Sequence, residues 1–439
     1  MNLVIFEDER HAAFGIVTVV RAVFDLRCGG RTLLERWQAA QPGGTLCLLV
    51  RPEHAALAAE MHPGVPVNAA AVGEAWFGNG RWLSLGGDWL RTQAHPAPEF
   101  AVWAGSALVA ARTRGATTER LGAELQRRAG PRPDLEPLNL WTARELPHLL
   151  AVDLAASPDW TRDGSTLLDH VWQLVQHNGR AICDDFRSGP AAGIDPSALV
   201  YPGVHLLQDG AIRIGPGCRV KPGVVLDAED GPIMLERDVE VQPGVVIRGP
   251  AWIGPGCVLK AGAKIHEGTA LGPVCKIGGE VEESIVQGYS NKQHEGFLGH
   301  AFLAEWVNLG ADTNNSDLKN NYSTVRAWES GQMQDTGLMF VGLIAGDHAK
   351  SAINTQFNTG TVVGAGAQVF GSGFPPKFVP PFSWGGGEGL AVYRFDRALE
   401  TARAVMRRRK IEMTAAYEAA LQREFAAWEH APRSHTAAD

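Results

Sequence analysis

The sequence has no CxxC pair, and its six cysteines (Cys28, Cys47, Cys183, Cys218, Cys257, Cys275) fall at spacings that match no metal site. That argues against a zinc ribbon or a disulfide framework and for reduced, mostly buried thiols. Apolar runs are short, and none approaches the ~20 residues a membrane span needs. MNLVIFEDER turns acidic after a brief apolar run, so no signal peptide is expected and a cytoplasmic protein is. Positive charge is not in excess: 40 Lys and Arg stand against 48 Asp and Glu, a net charge of -8, which argues against nucleic acid as the partner. What remains is a 439-residue chain of ordinary apolar content, long enough for two or three domains and rich in glycine at 51 residues.

Those glycines belong to a rhythm. Val241, Ile247, Ile253, Leu259, Ile265, Leu271 and Ile277 are each six residues apart, with small and turn-forming residues between them. Neither a helix nor an ordinary strand has that period. A left-handed parallel β-helix built from hexapeptide repeats does, because each triangular coil takes three six-residue faces. Ile194, Val200, Leu206 and Ile212 keep the same step, and Ile214, Val220 and Leu226 resume it after a slip of two. After Ile277 the register slips again and reads on through Ile285, Asn291, Phe297, Leu303 and Leu309. Residues from Ala311 to about Phe340 break the pattern and read as an extruded loop; Phe357, Val363 and Val369 restore it. The β-helix is expected over about 190–372.

The first ~185 residues read as α/β. LVIF, TLCLLV and FAVWAG have the character of buried strands, and RTLLERWQAA and EHAALAAEM that of helices. Thr166 to Asp169 resembles a capping box opening a helix, LLDHVWQLVQHN. FPPKFVPPFSWGGG is a connector that can hold neither helix nor strand for long. Phe395, Leu399, Ala402, Met406, Met413, Tyr417, Leu421 and Trp428 predict a closing amphipathic helix, with Arg407 to Lys410 on its solvated face.

Chemistry concentrates between Asn291 and Arg326, where Lys292, His294, Asn308, Asn314, Asn315, Lys319 and Tyr322 flank the interruption. A neutral histidine suits removal of a proton from an attacking amine, and asparagine suits an oxyanion. Asparagines also form stacked ladders at β-helix corners. His294 and His300, with Asp347, His348 and Lys350, raise zinc, but six residues put the two histidines on adjacent faces, and no metal site is expected here.

H-x-x-F-L-G followed by VNLGADT resembles the bacterial bifunctional enzymes that acetylate glucosamine-1-phosphate and then uridylylate it. The resemblance implies that His294 is the base and Asn308 the site asparagine; Phe297 stands where that family has a sugar-contacting tyrosine. EGFLGHAFLAEWVNLGADTNNSDLKNNYSTVR, GDHAKSAINTQFNTGTVVG and FEDERHAAFGIVTVVRAVFDLRCGGRTLLERW are similar to hallmark blocks of GlmU-like sugar nucleotidyltransferases with a divergent N-terminal domain. Such domains hold a nucleoside triphosphate on a glycine-rich loop. This chain has FEDERHAAFG there, so Arg10, Arg21 and Arg27, beside Gly29-Gly30, are the candidate phosphate ligands. Asn79-Gly80-Arg81 marks a turn at a strand end, and Asp88 is a candidate carboxylate for Mg²⁺.

Together these give a divergent nucleotidyltransferase-like (Rossmann-like) α/β domain over 1–185, a left-handed β-helix acyltransferase-like domain over 186–392 and a C-terminal helix over 393–439. The resemblance implies a homotrimer that transfers an acyl group, most simply from acetyl-CoA, to an amine of a sugar phosphate or nucleotide sugar. Lys292, Lys319 and Tyr322 would contact that substrate. The alternative is an inactive first domain in a nucleotide-sugar-binding or scaffold protein.

Overall fold

The computed structural model describes residues 1–41, 43–86, 98–129, 135–156, 161 and 163–431; Asp88 lies outside them. Two compact units emerge. The first holds residues 1–14, 20–26 and 31–169, and the second holds 15–19, 27–30 and 170–439. The boundary expected after residue 185 therefore falls after Asp169.

The first unit is built on a six-stranded mixed sheet. Its strands are β1 (Asn2–Phe6), β2 (Thr45–Leu49), β3 (Glu74–Asn79), β4 (Phe100–Ala104), β5 (Ala107–Arg114) and β6 (Leu150–Asp153), in the order β2-β1-β3-β5-β4-β6. β1 runs parallel to both β2 and β3, whereas β5 is antiparallel to β3 and β4. Strand β1 is apolar and buried from Leu3 to Phe6, as a strand covered on both faces is. Helix α1 (Leu33–Ala40) opens on a capping box, Thr32 accepting from the Glu35 amide and the Glu35 carboxylate accepting from Thr32. Helices α2 (Ala55–Met61), α3 (Gly115–Arg128) and α4 (Leu138–Glu145) complete the unit. The chain leaves β1 for β2 on one side and returns to β3 on the other, so the carboxyl end of β1 is a topological switch point. Ligands of open α/β sheets bind at such points.

The second unit begins with helix α5 (Val171–Ser188), whose first turn is closed by the Gln173 side chain accepting from the His170 amide. Thr166 opens no helix; Thr166–Leu167 is a short strand paired with Trp82–Leu83. From Gly193 onward the chain winds into a parallel β-helix with three faces, one ten strands long and two with runs of six. Leu235, Ile253 and Leu271 stack in register on one face, Val241, Leu259 and Ile277 on the next, and Ile247, Ile265 and Val281 on the third. All are buried in one continuous core.

Beyond Ile277 the expected register is one residue off for three positions and is regained at Leu303 and Leu309, which lie in the core as expected. Leu271 pairs with Val286, Ile277 with Lys292 and Val281 with Leu298, so the inward residues are Val286, Lys292 and Leu298, not Ile285, Asn291 and Phe297. Nor does extrusion begin at Ala311, since Asn314–Asn315 still pairs with Gln356–Phe357 within the stack. Only the following segment leaves the coil, carrying the hairpin Arg326–Glu329 and Gln332–Asp335. The helix also runs past 372: Phe378–Val379 and Ser383–Gly386 add strands, and Gly389–Val392 closes the end antiparallel. The single closing helix is two, α6 (Phe395–Arg407) and α7 (Ala415–Trp428). Lys410 takes φ +60, the Ile411 amide donates back to Met406, and Thr414 caps the restart by accepting from the Tyr417 amide.

Candidate functional site

The β-helix register lines up an outward row on one face. Lys276 pairs with Asn291, Asn291 with Asn308, Asn308 with Lys350, and Lys350 with Gln368. At the ~4.8 Å spacing of parallel strands, Lys276 and Lys350 stand about 14 Å apart with two asparagines between them. The Asn291 amide donates to Asn308 Oδ1 at 3.4 Å, and Arg409, just past α6, donates to Asn291 Oδ1 at 2.9 Å. Burial and the nearby charges of Arg409, Arg408 and Lys260 hold Lys276 below the ordinary lysine pKa. Burial alone brings Lys350 down to about 8, and its ammonium donates to the His348 carbonyl at 3.2 Å. Amide side chains thus sit inside a ring of cations. Arg408 and Arg409 belong to the stretch read from sequence as a solvated helix face; only the packing of the chain after α6 brings them to this row.

His294 is exposed on the coil corner three residues beyond Asn291. No hydrogen bond joins its imidazole to Asn308 among the described residues. Lys292 is not a surface residue: it is 1% exposed, occupies an inward core slot, and its ammonium donates to the carbonyls of Gly278 at 2.9 Å and His294 at 3.0 Å. It therefore supports the corner that carries His294 rather than reaching a substrate phosphate. Lys319 donates to the Thr324 carbonyl at 2.8 Å and staples the extruded segment, where Tyr322 is 68% exposed. Asn314 and Asn315 serve the backbone, accepting from the amides of Phe297 at 2.7 Å and Gly299 at 3.0 Å. Those two are corner-ladder residues. His348 turns to Tyr417 at 2.9 Å and Trp306, and holds α7 rather than a metal.

In the first unit, the carboxyl ends of β1 and β3 meet in a buried polar network. Arg81 grips Asp8 with Nε at 2.8 Å and Nη2 at 2.6 Å and reaches Asp169 at 2.9 Å, while Asn79 donates to Asp8 at 2.8 Å. Burial pushes the Asp8 carboxyl up, but the Arg81 charge and hydrogen bonds outweigh it and leave its pKa low. Glu7 is held by Arg51 at 3.1 Å, and Arg51 also meets His54 Nδ1 at 2.8 Å. The Asn79-Gly80-Arg81 turn was visible in sequence; Asp8 as its partner, and the neighbouring Glu7–Arg51 pair, were not, because they converge only at the sheet's switch point.

Of the three candidate arginines, two belong to the first unit and one to the second. Arg10 is exposed in a 3-10 turn next to Asp8, and Arg21 is 2% exposed, its carbonyl accepting from Arg51. Arg27 belongs to the second unit, where its guanidinium lies 4.7 Å from the Trp252 ring and bonds the Gly30 carbonyl. Mg²⁺ fits the described residues poorly, because the Glu7 and Asp8 carboxylates are taken up by arginines and no group of three metal-binding side chains occurs among the described residues. No described helix is long and apolar enough to cross a membrane. The six cysteines are free thiols, five of them buried.

Residues 3–189 match the family described as sugar nucleotidyl transferase. The bifunctional protein GlmU of Synechococcus sp. (strain CC9311) is 31% identical over 170 residues, 38% of this chain and 33% of that protein. A bifunctional sugar-1-phosphate nucleotidylyltransferase/acetyltransferase of Sulfurisphaera tokodaii is 30% identical over 142 residues, 32% of this chain and 35% of that protein. The chain spans about a third of the length of these curated relatives. A crystal structure of UDP-N-acetylglucosamine acyltransferase aligns with 55% of this chain and 92% of its own, at 15% identity and a TM-score of 0.21. The chain is thus similar over residues 3–189 to the sugar nucleotidyl transferase family, and over about a third of its length to bifunctional nucleotidyltransferase/acetyltransferases.

Proposed function

We propose that the chain is a transferase whose β-helix unit moves an acyl group, most simply from acetyl-CoA, to an amine on a sugar phosphate or nucleotide sugar. The observation that carries this reading is the row Lys276–Asn291–Asn308–Lys350 with Arg409 bonded into it. Its amides suit a thioester oxygen gaining negative charge, and its cations suit phosphate. His294 is the proposed base. The acceptor's free amine attacks the thioester carbon, His294 takes the proton that the nitrogen sheds as the C–N bond forms, and the C–S bond breaks. The departing thiolate takes that proton from the imidazolium, and Asn308 polarises the carbonyl. Because His294 is exposed on this chain, the reading includes a homotrimer in which a neighbouring copy walls the site.

A nucleotidyl transfer step in the first unit is part of the same proposal, but the arginine-bound state of Glu7 and Asp8 favours a second reading for that unit: nucleotide-sugar binding without transfer. Pyrophosphate exchange with UTP and sugar phosphates separates the two. For the β-helix unit, thiol release from acetyl-CoA is measured with a panel of amino sugars. Wild type should turn over at least one, and His294→Ala should lose about 100-fold or more in kcat, the usual contribution of a general base. Unchanged turnover in the variant removes His294 from the mechanism.

A further inference from the structure

A pocket of about 260 Å³ opens in the second unit, on a different coil corner from His294. Glu283 and His300 form its polar side; Trp172, Val175 and Gln176 of α5 and the apolar segment 338–341 form its walls. Both polar residues sit at coil corners with positive φ, +42 and +46, and the His300 amide donates to the Glu282 carbonyl, so they stack on successive coils. Asp317 Oδ2 lies 2.8 Å from His300 Nδ1, and Phe340 stacks on the imidazole with centroids 4.9 Å apart. With Nδ1–H donated to Asp317, Nε2 is left as an acceptor. The Glu283 carboxylate has no hydrogen-bond or ion-pair partner among the described residues, and burial raises its pKa while the nearby His300 pulls it back.

No lysine or arginine lines this pocket. A phosphate would meet the Glu283 carboxylate with no lysine or arginine to offset it, which separates the pocket from the cation-ringed row around Asn308. An unpaired carboxylate against apolar walls is costly unless a cation joins it, and aromatic faces add their own attraction for one. We infer that the pocket binds an organic ammonium ligand with an apolar, ring-sized body, its nitrogen held by Glu283 and His300 Nε2 and its body packed between Trp172 and Phe340. This inference does not rest on the acyl-transfer reading.

Isothermal titration of the full-length protein with phenethylamine, with 2-phenylethanol and 3-phenylpropionate as neutral and anionic controls, tests it. Phenethylamine should bind at least about tenfold more tightly than either control. Glu283→Gln should cost about tenfold in affinity. Gln176→Trp, made from the exposed side of α5, should block the pocket while leaving both carboxylates in place, so the test survives if the Glu283 variant fails to fold. Equal binding of the propionate, unchanged affinity in Gln176→Trp, or no binding of phenethylamine up to about 10 mM overturns the inference.

Discussion

A lysine placed in an apolar core resists its own charge, and Lys292 has two carbonyls as its hydrogen-bond partners among the described residues. Burial takes its pKa from the ordinary 10.5 to about 8. Between those values the unfolded chain holds more protons than the folded one, so stability rises with pH through that window. Lys350, also brought to about 8, contributes in the same direction. Lys292→Met should therefore reduce the gain in melting temperature between pH 8 and 10.5 by about half, read by circular dichroism melts at both values. An undiminished gain would mean that Lys292 stays charged when folded. The same residue explains why the register beyond Ile277 was misread. Ile285 and Val286 are both apolar, so either can be the inward residue. The next inward slot holds a charge, which pattern reading assigns to the surface. His294 and Asn308 were legible as positions, because their motif is local. The cations that surround Asn308 were not, because Arg408 and Arg409 lie about a hundred residues away in sequence.

At the scale of the element, the coil is held by backbone approach as much as by its aliphatic stack. A Cβ at Gly272 would lie 1.9 Å from the Gln287 carbonyl oxygen of the next coil. Nothing flexible stands there to give way, so Gly272→Ala should destabilise the β-helix by about 2 kcal/mol or more. Chemical denaturation of the two proteins checks it, and a loss below about 0.5 kcal/mol would mean the coils can separate at that corner. Elements with every inward slot apolar were readable: Val241 to Ile277, and β1, β2, α1 and α2 in the first unit. Elements decided by partners were not. Helix α5 starts at Val171 rather than near Thr166, whose backbone is claimed by Trp82–Leu83. The split between α6 and α7 depends on a left-handed turn at Lys410, which no proline or glycine announces.

For the molecule as a whole, the first unit has a hydrophobic core centred on β1 and β3, and the second has one running the length of the β-helix. The chemistry divides in the same way. The first unit places arginine-bound carboxylates at a sheet switch point, and the second offers a cation-ringed amide row on one face and, on another corner, a pocket lined by Glu283 and His300 without lysine or arginine. The acidic total of -8 conceals this local positive row, which is why net charge argues against nucleic acid yet says nothing about phosphate. The most direct test of the central claim is thiol release from acetyl-CoA in the presence of amino sugar phosphates, compared between wild type and the Arg408→Ala, Arg409→Ala double variant. The account predicts turnover by wild type, with KM for acetyl-CoA or the phosphorylated acceptor raised about tenfold in the variant and kcat changed less than about threefold. No turnover by wild type with any amine, or the same KM values in both proteins, would contradict it.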